Sequence, residues 1–154
     1  MSLISFKNIN QLLTTYRREN FKLVFTNGCF DLLHKGHIDL LSNAAEFGDK
    51  LFVGLNSDQS VKKLKGESRP IQNEKIRAQK LLELQYVNHV IIFEDLTPKK
   101  LIYKMSPDVL VKGGDYKKNK IVGAKHVISS GGAVKIIPLT PGFSTTSIIE
   151  ESSN

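Results

Sequence analysis

Residues 22–41, "KLVFTNGCFDLLHKGHIDLL", join a short apolar run, a glycine-bearing turn and the beginning of an amphipathic segment. The run "KLVFT" (22–26) is continuous rather than alternating, which is typical of a strand covered on both faces. From about His37 to Phe47 the apolar residues keep helical spacing, and Gly48 ends the pattern. A strand that leads through a tight turn into a helix is the repeating unit of a parallel α/β sheet.

The same alternation continues along the chain. Four further apolar runs follow: "KLFVGLN" (50–56), "HVIIF" (89–93), "DVLVK" (108–112) and "AVKIIPL" (133–139). Helical patterns lie before and between them, and their starts carry capping candidates: Asn8, Asn73, Thr97 with Pro98, and Ser144. We therefore predict an α/β fold, a Rossmann-like doubly wound sheet of five parallel strands in a single domain. We expect an N-terminal helix in residues 1–20 packed on a main domain at 21–150, with a tail at 151–154.

Composition restricts the compartment and the kind of ligand. The chain has 154 residues, one cysteine and a formal net charge of +7. A single cysteine forms no internal disulfide, and no apolar run approaches the ~20 residues that cross a bilayer, so we predict a cytoplasmic protein without a membrane partner. The excess of lysine and arginine favours an anionic partner. Because the lysines are dispersed, a small phosphorylated ligand fits at least as well as nucleic acid, and a merely solvated basic surface stays open.

The turn after the first strand is a candidate anion site. Ligands of doubly wound sheets bind beyond the carboxyl ends of the strands, where "TNGCF" (26–30) lies. His34 and His37 are three residues apart, so they are neighbours at the helix start, and Gly36 between them lets a ligand approach the backbone. The helix start adds unpaired N–H donors and a positive dipole end. The chain has neither a G-x-x-x-x-G-K-[ST] nor a G-x-G-x-x-G loop, so another phosphate-binding device is needed.

Three alternative roles for this turn stay open from the residues alone. His34 and His37, beside Asp31 and Cys29, contain the atoms of a metal site, although their spacing matches no zinc motif. Cys29, five residues before His34, is a candidate nucleophile. In the third alternative, the histidines only pack against neighbouring side chains.

The turn resembles the signature of a known superfamily. "TNGCFDLLHKGH" (26–37) is similar to the G-x-F-D-x-x-H-x-G-H signature of the nucleotidyltransferases that include the cytidylyltransferases. Six positions match: Gly28, Phe30, Asp31, His34, Gly36 and His37. A second signature of that superfamily, a helix start rich in serine and threonine, resembles "GFSTTSII" (142–149).

Three further segments resemble the heptose 1-phosphate adenylyltransferases of lipopolysaccharide precursor synthesis. They are "VGLNSDQSVKKLKGESRPI" (53–71), "LVKGGDY" (110–116) and "GGAVKIIPLTPGFSTTSII" (131–149). The resemblance implies transfer of AMP from ATP to D-glycero-β-D-manno-heptose 1-phosphate, with release of pyrophosphate. It also implies Mg²⁺ held mainly by ATP phosphates, a homodimer, and a sugar kinase on a separate protein. Nucleic acid is not an expected partner.

The resemblance assigns roles by position. The expected catalytic residues are His34, His37 and Lys65. The expected nucleotide-binding residues are Thr26, Asn27, Gly28, Phe30, Gly36, Arg69, Arg77, Gly113, Asp115, Ser144, Thr145 and Thr146. Asn56, Asp58, Lys112 and Tyr116 are expected to bind the acceptor, and no protein side chain is expected to ligate a metal. Lys65 and Arg69 would clamp phosphate oxygens from a mobile loop, with Gly66 permitting its movement.

The sequence also departs from the family pattern. Phe143 stands where the family has cysteine, Ser147 where it often has asparagine, and the last helix continues with Glu150 and Glu151 instead of basic residues. Three alternatives therefore stay open. They are a cytidylyltransferase acting on glycerol 3-phosphate or another phosphorylated alcohol, an FAD synthetase, and a module that senses nucleotides or binds nucleic acid without catalysis.

Overall fold

A computed structural model of the chain describes residues 1–114 and 117–138. Six parallel strands form one sheet in the order β1-β4-β3-β2-β5-β6. The strands are β1 Ser2–Leu3, β2 Leu23–Gly28, β3 Lys50–Asn56, β4 His89–Phe93, β5 Val109–Gly113 and β6 Ala133–Ile137. The helices are α1 Ile9–Arg18, α2 Lys35–Ala45, α3 Asp58–Lys65, α4 Glu74–Leu82, α5 Lys99–Met105 and α6 Ala124–Ser129, with a 3₁₀ turn at Lys118–Lys120.

The predicted doubly wound α/β fold is confirmed, with one strand more than expected. All five predicted strands are present, and the sixth, β1, lies at the edge of the sheet beside β4. It is held by His89, whose Nδ1 lies 3.0 Å from Ser2 Oγ and whose Nε2 lies 2.7 Å from the hydroxyl of Tyr16 in α1. Two exposed residues carry no periodic signal, so this pairing was not visible in the sequence.

Helices cover both faces of the sheet, which explains why its central strands contain consecutive apolar residues. Phe25 packs on one face in a cluster with Ile9 and Ile102, from α1 and α5. Its neighbour Val24 packs on the other face in a cluster with Leu41 and Leu81, from α2 and α4. Successive side chains of a strand point to opposite faces, so both sets of positions must be hydrophobic here.

The predicted helix starts are partly confirmed. Asn73 caps α4, since its Oδ1 accepts a hydrogen bond of 3.0 Å from the backbone N–H of Ile76. Asn8 precedes α1 without a side-chain capping bond. Pro98, rather than Thr97, occupies the N-cap position of α5 and also makes no such bond. Ser144 lies outside the described residues.

The strand order determines where a ligand fits. From β2 the chain moves to β3 and β4 on one side, and then returns to β5 and β6 on the other side of β2. The connections after β2 and β5 therefore diverge, and a crevice opens between them at the carboxyl ends of these strands. The turn that carries His34 and His37 follows β2, directly beside this crevice.

Candidate active site

The turn between β2 and α2 is shaped by unusual backbone conformations and by one aromatic ring. Phe30 and Leu32 have positive φ values of 46° and 58°, in the left-handed region. The buried ring of Phe30 lies so close to Gly28 that a Cβ at Gly28 would come within 3.0 Å of it. The same ring meets His37 edge-on, with centroids 5.2 Å apart. Gly28 and Phe30, expected to bind the nucleotide, therefore also set the shape of the turn that presents the histidines.

His34 is the N-cap of α2 and precedes its first helical turn. Its backbone is extended, with φ −133° and ψ 176°, and its Nδ1 accepts a hydrogen bond of 3.1 Å from the N–H of Gly36. With Nδ1 as acceptor, the proton of the neutral ring lies on Nε2, which is then a donor. Gly36 is buried and its N–H is used in this cap. The backbone donors that the helix start offers to a ligand are therefore those of Lys35 and His37.

The two predicted catalytic histidines lie against each other. Their rings stack with centroids 3.7 Å apart and 21° between the planes. Burial lowers the pKa of His34. Burial, followed by the nearby charges of His34 and Lys65, lowers the pKa of His37 to about 3. His37 is therefore neutral near pH 7, and its buried Nδ1 has no hydrogen-bond partner among the described residues. Such a nitrogen is stabilised when a ligand or water completes its hydrogen bonding.

Asp31 attaches a distant segment to this turn. Its side chain is fully buried and accepts hydrogen bonds from the N–H groups of Ile71 (2.7 Å) and Gln72 (2.9 Å) and from Nε of Arg69 (3.0 Å). Burial acts to raise the pKa of Asp31, but these donors outweigh it and lower the pKa. Arg69, whose side chain is 12% exposed, thus lies beside the turn, and its predicted place on a mobile loop stays a prediction. Asp31 therefore orders the segment that contains Arg69, Ile71 and Gln72.

Arg77 is completely buried beneath the site. Its Nη1 donates to the main-chain oxygens of Cys29 and Asn56, each at 2.8 Å. Its Nε donates to the main-chain oxygen of Gln72 at 2.9 Å, and its Nη2 pairs with Asp58 Oδ1 at 2.8 Å. One guanidinium therefore joins the ends of β2 and β3 to the start of α3 and to the segment before α4. This geometry favours a supporting role over the nucleotide contact predicted for Arg77.

A cavity of about 550 Å³ lies at the switch point. It brings together parts of the chain that are far apart in sequence: the end of β2, the end of β3, the end of α3, the connection after β4, and β5. Its lining residues are Asn27, Gly28, Cys29, Asn56, Leu64, Lys65, Leu96, Thr97, Pro98, Lys112, Lys120, Ile121 and Val122. The wall thus combines amides and lysines with a partly apolar rim, which suits a ligand with both phosphate and ring or sugar groups.

The predicted cations reach this cavity from different elements. Lys65 is the last residue of α3, is exposed, and lies near enough to the histidines for its charge to lower the pKa of His37. Lys112 lies in β5, and burial lowers its pKa. Burial raises the pKa of Cys29, although Lys65, Arg77 and Arg69 act in the opposite direction. Cys29 is therefore mainly a thiol at neutral pH, which disfavours its role as a nucleophile.

Other predicted residues have separate surroundings. Thr26 is completely buried in β2, and its hydroxyl has no partner among the described residues. Gly113 is the last residue of β5, at the same edge of the sheet. Asp58 pairs with Arg77 and lines a different surface depression, beside Pro70 and Ile71. Ser57, the residue before Asp58, caps α3, with Oγ accepting from the N–H of Ser60 at 3.1 Å.

Five of the predicted site residues, Asp115, Tyr116, Ser144, Thr145 and Thr146, lie outside the described residues. Within the described part of the chain, no group of three or more histidine, cysteine, aspartate or glutamate side chains has the arrangement of a metal site. Across residues 1–114 and 117–138, every helix is too short or too polar to span a lipid bilayer.

A larger and more open depression lies at the other end of the sheet. It has a volume of about 680 Å³ and lies between α1 and α5. One of its cations, Arg17, is bonded to Asp108 and to the main-chain oxygens of Met105 and Ser106, which precede β5. The depression is therefore at the amino ends of the strands, where this class of sheet does not bind its ligand.

Comparison with known proteins agrees with this geometry. The sequence profile of the cytidylyltransferase-like family matches residues 25–151, which include most of β2, the histidine turn and the residues that line the cavity. The chain belongs to the cytidylyltransferase-like family. This membership confirms the predicted resemblance to nucleotidyltransferases.

Two individual relatives of this cytidylyltransferase-like chain are identical to it at about half of the aligned positions. The bifunctional protein HldE of Rhodopseudomonas palustris (strain HaA2) is 53% identical over 140 residues, which is 91% of this chain and 29% of that protein. The bifunctional protein HldE of Koribacter versatilis (strain Ellin345) is 51% identical over 149 residues, which is 97% of this chain and 31% of that protein. The chain thus spans about three tenths of the length of these relatives.

A solved structure supports the same grouping. The crystal structure of the lipopolysaccharide core biosynthesis protein from Thermoplasma volcanium GSS1 superposes with a TM-score of 0.61 and 29% sequence identity. The match covers 78% of this chain and 97% of that chain.

Several residues important to the cytidylyltransferase-like site were not among those predicted. Asp31 was recognised only as a signature position and as a candidate metal ligand, and Ser60 and Lys120 were not singled out. The "SDQS" segment (57–60) did predict a helix start, because a serine directly before a helix typically accepts a hydrogen bond from the N–H three residues later. For Lys120 we find no local signal, since it reaches the cavity through the 3₁₀ turn after β5.

Proposed function

We propose that this chain transfers AMP from ATP to D-glycero-β-D-manno-heptose 1-phosphate, releasing pyrophosphate and forming ADP-heptose for the lipopolysaccharide core. The observation that carries the proposal is the stacked pair of neutral histidines at the start of α2, beside a cavity lined by lysines and amides. Family membership supports nucleotidyl transfer, and two relatives at 53% and 51% identity support the heptose branch of the family.

The chemistry requires positioning and charge stabilisation rather than a protein nucleophile. A phosphate oxygen of the acceptor attacks the α-phosphorus of ATP in line, and pyrophosphate leaves on the opposite side. His34 donates through Nε2–H, and His37 hydrogen-bonds the phosphates and is protonated more readily as their negative charge raises its pKa. Lys65 and Lys112 approach from two other elements and stabilise the charge that develops on the phosphoryl oxygens.

Mg²⁺ fits this site as an ion that arrives with the nucleotide. Within residues 1–114 and 117–138, the cavity lining includes two asparagines and three lysines but no carboxylate. Such a set does not build a protein cage for Mg²⁺, which binds readily to phosphate oxygens and water. When bound, the ion would neutralise charge on the triphosphate. We expect chelation with EDTA to abolish turnover while leaving the melting temperature unchanged.

The partners of the reaction are part of the proposal. We expect ATP and a sugar 1-phosphate as substrates, a homodimer in solution, and a kinase that supplies the sugar phosphate from a separate protein. Light scattering tests the dimer. The HldE relatives are bifunctional and about three times as long, so the kinase question requires an assay of sugar phosphorylation.

The test is pyrophosphate release with two donors and three acceptors. ATP and CTP are each combined with heptose 1-phosphate, glycerol 3-phosphate and FMN. We expect turnover with ATP and heptose 1-phosphate at a kcat/KM at least 100-fold above the other five combinations. The family description favours one second candidate, a cytidylyltransferase. Release with CTP and not with ATP would establish that candidate, and release with FMN would indicate an FAD synthetase.

A binding module without catalysis gives a different result. It would release no pyrophosphate in any combination, and its RNA affinity would fall steeply as salt rises.

A further inference from the structure

Two hydrogen bonds in series hold the side chain of Asn56 from behind. Asn56 ends β3 and is 4% exposed, and its Nδ2 lies 2.9 Å from Oγ of Ser60. Ser60 lies in the first turn of α3 and is completely buried. Its Oγ lies in turn 2.9 Å from the main-chain oxygen of Asp95, in the connection after β4.

The chemistry of these groups fixes the direction of both hydrogen bonds. The main-chain oxygen of Asp95 can only accept, so the single proton of the Ser60 hydroxyl is donated to it. The Ser60 oxygen then accepts from Asn56, and only the NH₂ group of that amide can donate. If the amide were rotated by 180°, Oδ1 of Asn56 would face Oγ of Ser60, and neither oxygen would have a proton to donate to the other. Ser60 therefore holds the nitrogen of Asn56 toward itself and leaves Oδ1 on the other side.

Asn56 also lines the cavity at the switch point. Its main chain is also held, because its carbonyl accepts from Nη1 of Arg77 at 2.8 Å. Among the described residues, none donates a hydrogen bond to Oδ1. An amide oxygen attracts a hydroxyl or N–H donor and repels a phosphate oxygen. The amide oxygen of Asn56 therefore favours a hydroxyl or N–H group of a ligand over a phosphate oxygen.

The expected roles of the lining residues indicate which substrate carries that hydroxyl. Asn56 and Lys112 are both expected to bind the acceptor. They line the same cavity, although they belong to β3 and β5, on opposite sides of β2. We therefore expect the acceptor against the end of β3, where Asn56 lies.

We infer that Ser60 is a positioning residue that orients Asn56 to accept a hydrogen bond from a hydroxyl of the acceptor sugar. The inference rests on the proposed function, because it assigns the acceptor to the part of the cavity that Asn56 lines. Ser60 touches neither substrate and acts only through the amide of Asn56. Its hydroxyl therefore contributes to acceptor affinity and not to ATP affinity or to the chemical step.

The test compares Ser60→Ala with the wild-type chain in pyrophosphate-release kinetics. The substrates are ATP and CTP with heptose 1-phosphate, mannose 1-phosphate and glycerol 3-phosphate. We expect Ser60→Ala to raise the KM of the acceptor about fivefold to tenfold, the range of one neutral hydrogen bond, with the KM of the donor and kcat within about twofold. In an Asn56→Ala background, the added Ser60→Ala change should leave the acceptor KM unaltered.

Ser57→Ala is the matched control. Ser57 lies on the same turn and caps α3, so its loss destabilises the start of the same helix. It does not contact the Asn56 amide through its side chain, so the acceptor KM should stay at the wild-type value. This control separates the positioning of Asn56 from a general loosening of α3.

The possible outcomes are distinct. An unchanged acceptor KM in Ser60→Ala, an equal rise in the donor KM, an equal rise in Ser57→Ala, or full additivity with Asn56→Ala overturns the inference. If the wild type uses another acceptor instead of heptose 1-phosphate, the proposed function fails. The KM of Ser60→Ala is then compared with that of the wild type for the acceptor that is used. Absence of turnover with every combination overturns both.

Discussion

The buried guanidinium of Arg77 makes the strongest stability prediction for this chain. Arg77→Met removes the charge and all its donors while keeping an unbranched side chain of similar length. Three main-chain oxygens then lose their hydrogen bonds, and Asp58 loses its cationic partner. Because Arg77 is completely buried, water cannot replace the lost donors without opening the structure.

The magnitude follows from these contacts. Each main-chain oxygen left without a donor costs about 1 kcal/mol, and losses of up to about 3 kcal/mol occur for deeply buried groups. The Asp58 side chain is 31% exposed, so water partly screens and resolvates it, and its pairing adds only about 1 kcal/mol. We therefore expect Arg77→Met to lower the free energy of unfolding by about 4 kcal/mol, a large part of the stability of a domain this size.

Urea unfolding followed by circular dichroism measures this loss. With a slope of about 2 kcal/mol per molar urea, the midpoint should fall by about 2 M. Lys80→Met is the matched control, since it removes the same charge from an exposed position of the same helix and should change stability by no more than ~0.5 kcal/mol. A loss below about 1 kcal/mol in Arg77→Met would refute the reasoning, because it would mean that the four contacts contribute almost nothing.

Three further predictions follow from the site and from β1. His37→Ala should lower kcat about 100-fold, the effect of one lost donor to the transition state, with His126→Ala as a control that keeps wild-type kinetics. Burial lowers the pKa of His89 to about 4 and that of His37 to about 3. Below pH ~6.5 the unfolded chain therefore binds more protons than the folded chain. The contribution of His89 to the free energy of unfolding is fully present above that pH, and it should fall by about 2 kcal/mol between pH 7 and pH 5. His89→Gln should flatten this part of the pH profile of urea unfolding, and an unchanged slope would contradict it. Asp31→Asn should raise the hydrogen-exchange rate of the Gln72 amide at least tenfold with less effect on the core strands, whereas a uniform rise would point to global destabilisation.

The central sheet could be predicted from the sequence because consecutive apolar residues indicate a strand that is buried on both faces. β2, β3, β4 and β5 are covered on both faces, so each contains a run of consecutive apolar residues that is visible in the sequence. The turn after β2 was assigned to the ligand edge by a topological rule that holds for any parallel sheet. His34 and His37 could therefore be recognised as neighbours at a helix start before their stacking was known.

The buried polar supports of the site could not be predicted in the same way. Asp31 bonds to residues about 40 positions away, Arg77 to Cys29 and Asn56, and Ser60 to Asp95. A charged or polar side chain has the same local pattern whether it is solvated or buried, so its partners depend on which distant segments meet. Arg77 was thus expected to contact the nucleotide, whereas its four hydrogen bonds all go to other parts of the chain.

The sequence by itself determined the fold class, the position of the phosphate turn and the family of this protein, because strand burial, helix spacing and a contiguous signature are local properties. The tertiary structure decided the edge strand β1, the tautomer of His34, the burial of Arg77 and the orientation of the Asn56 amide. Each of these depends on a donor or acceptor that another element supplies, and buried polar groups are stable only when such partners are present.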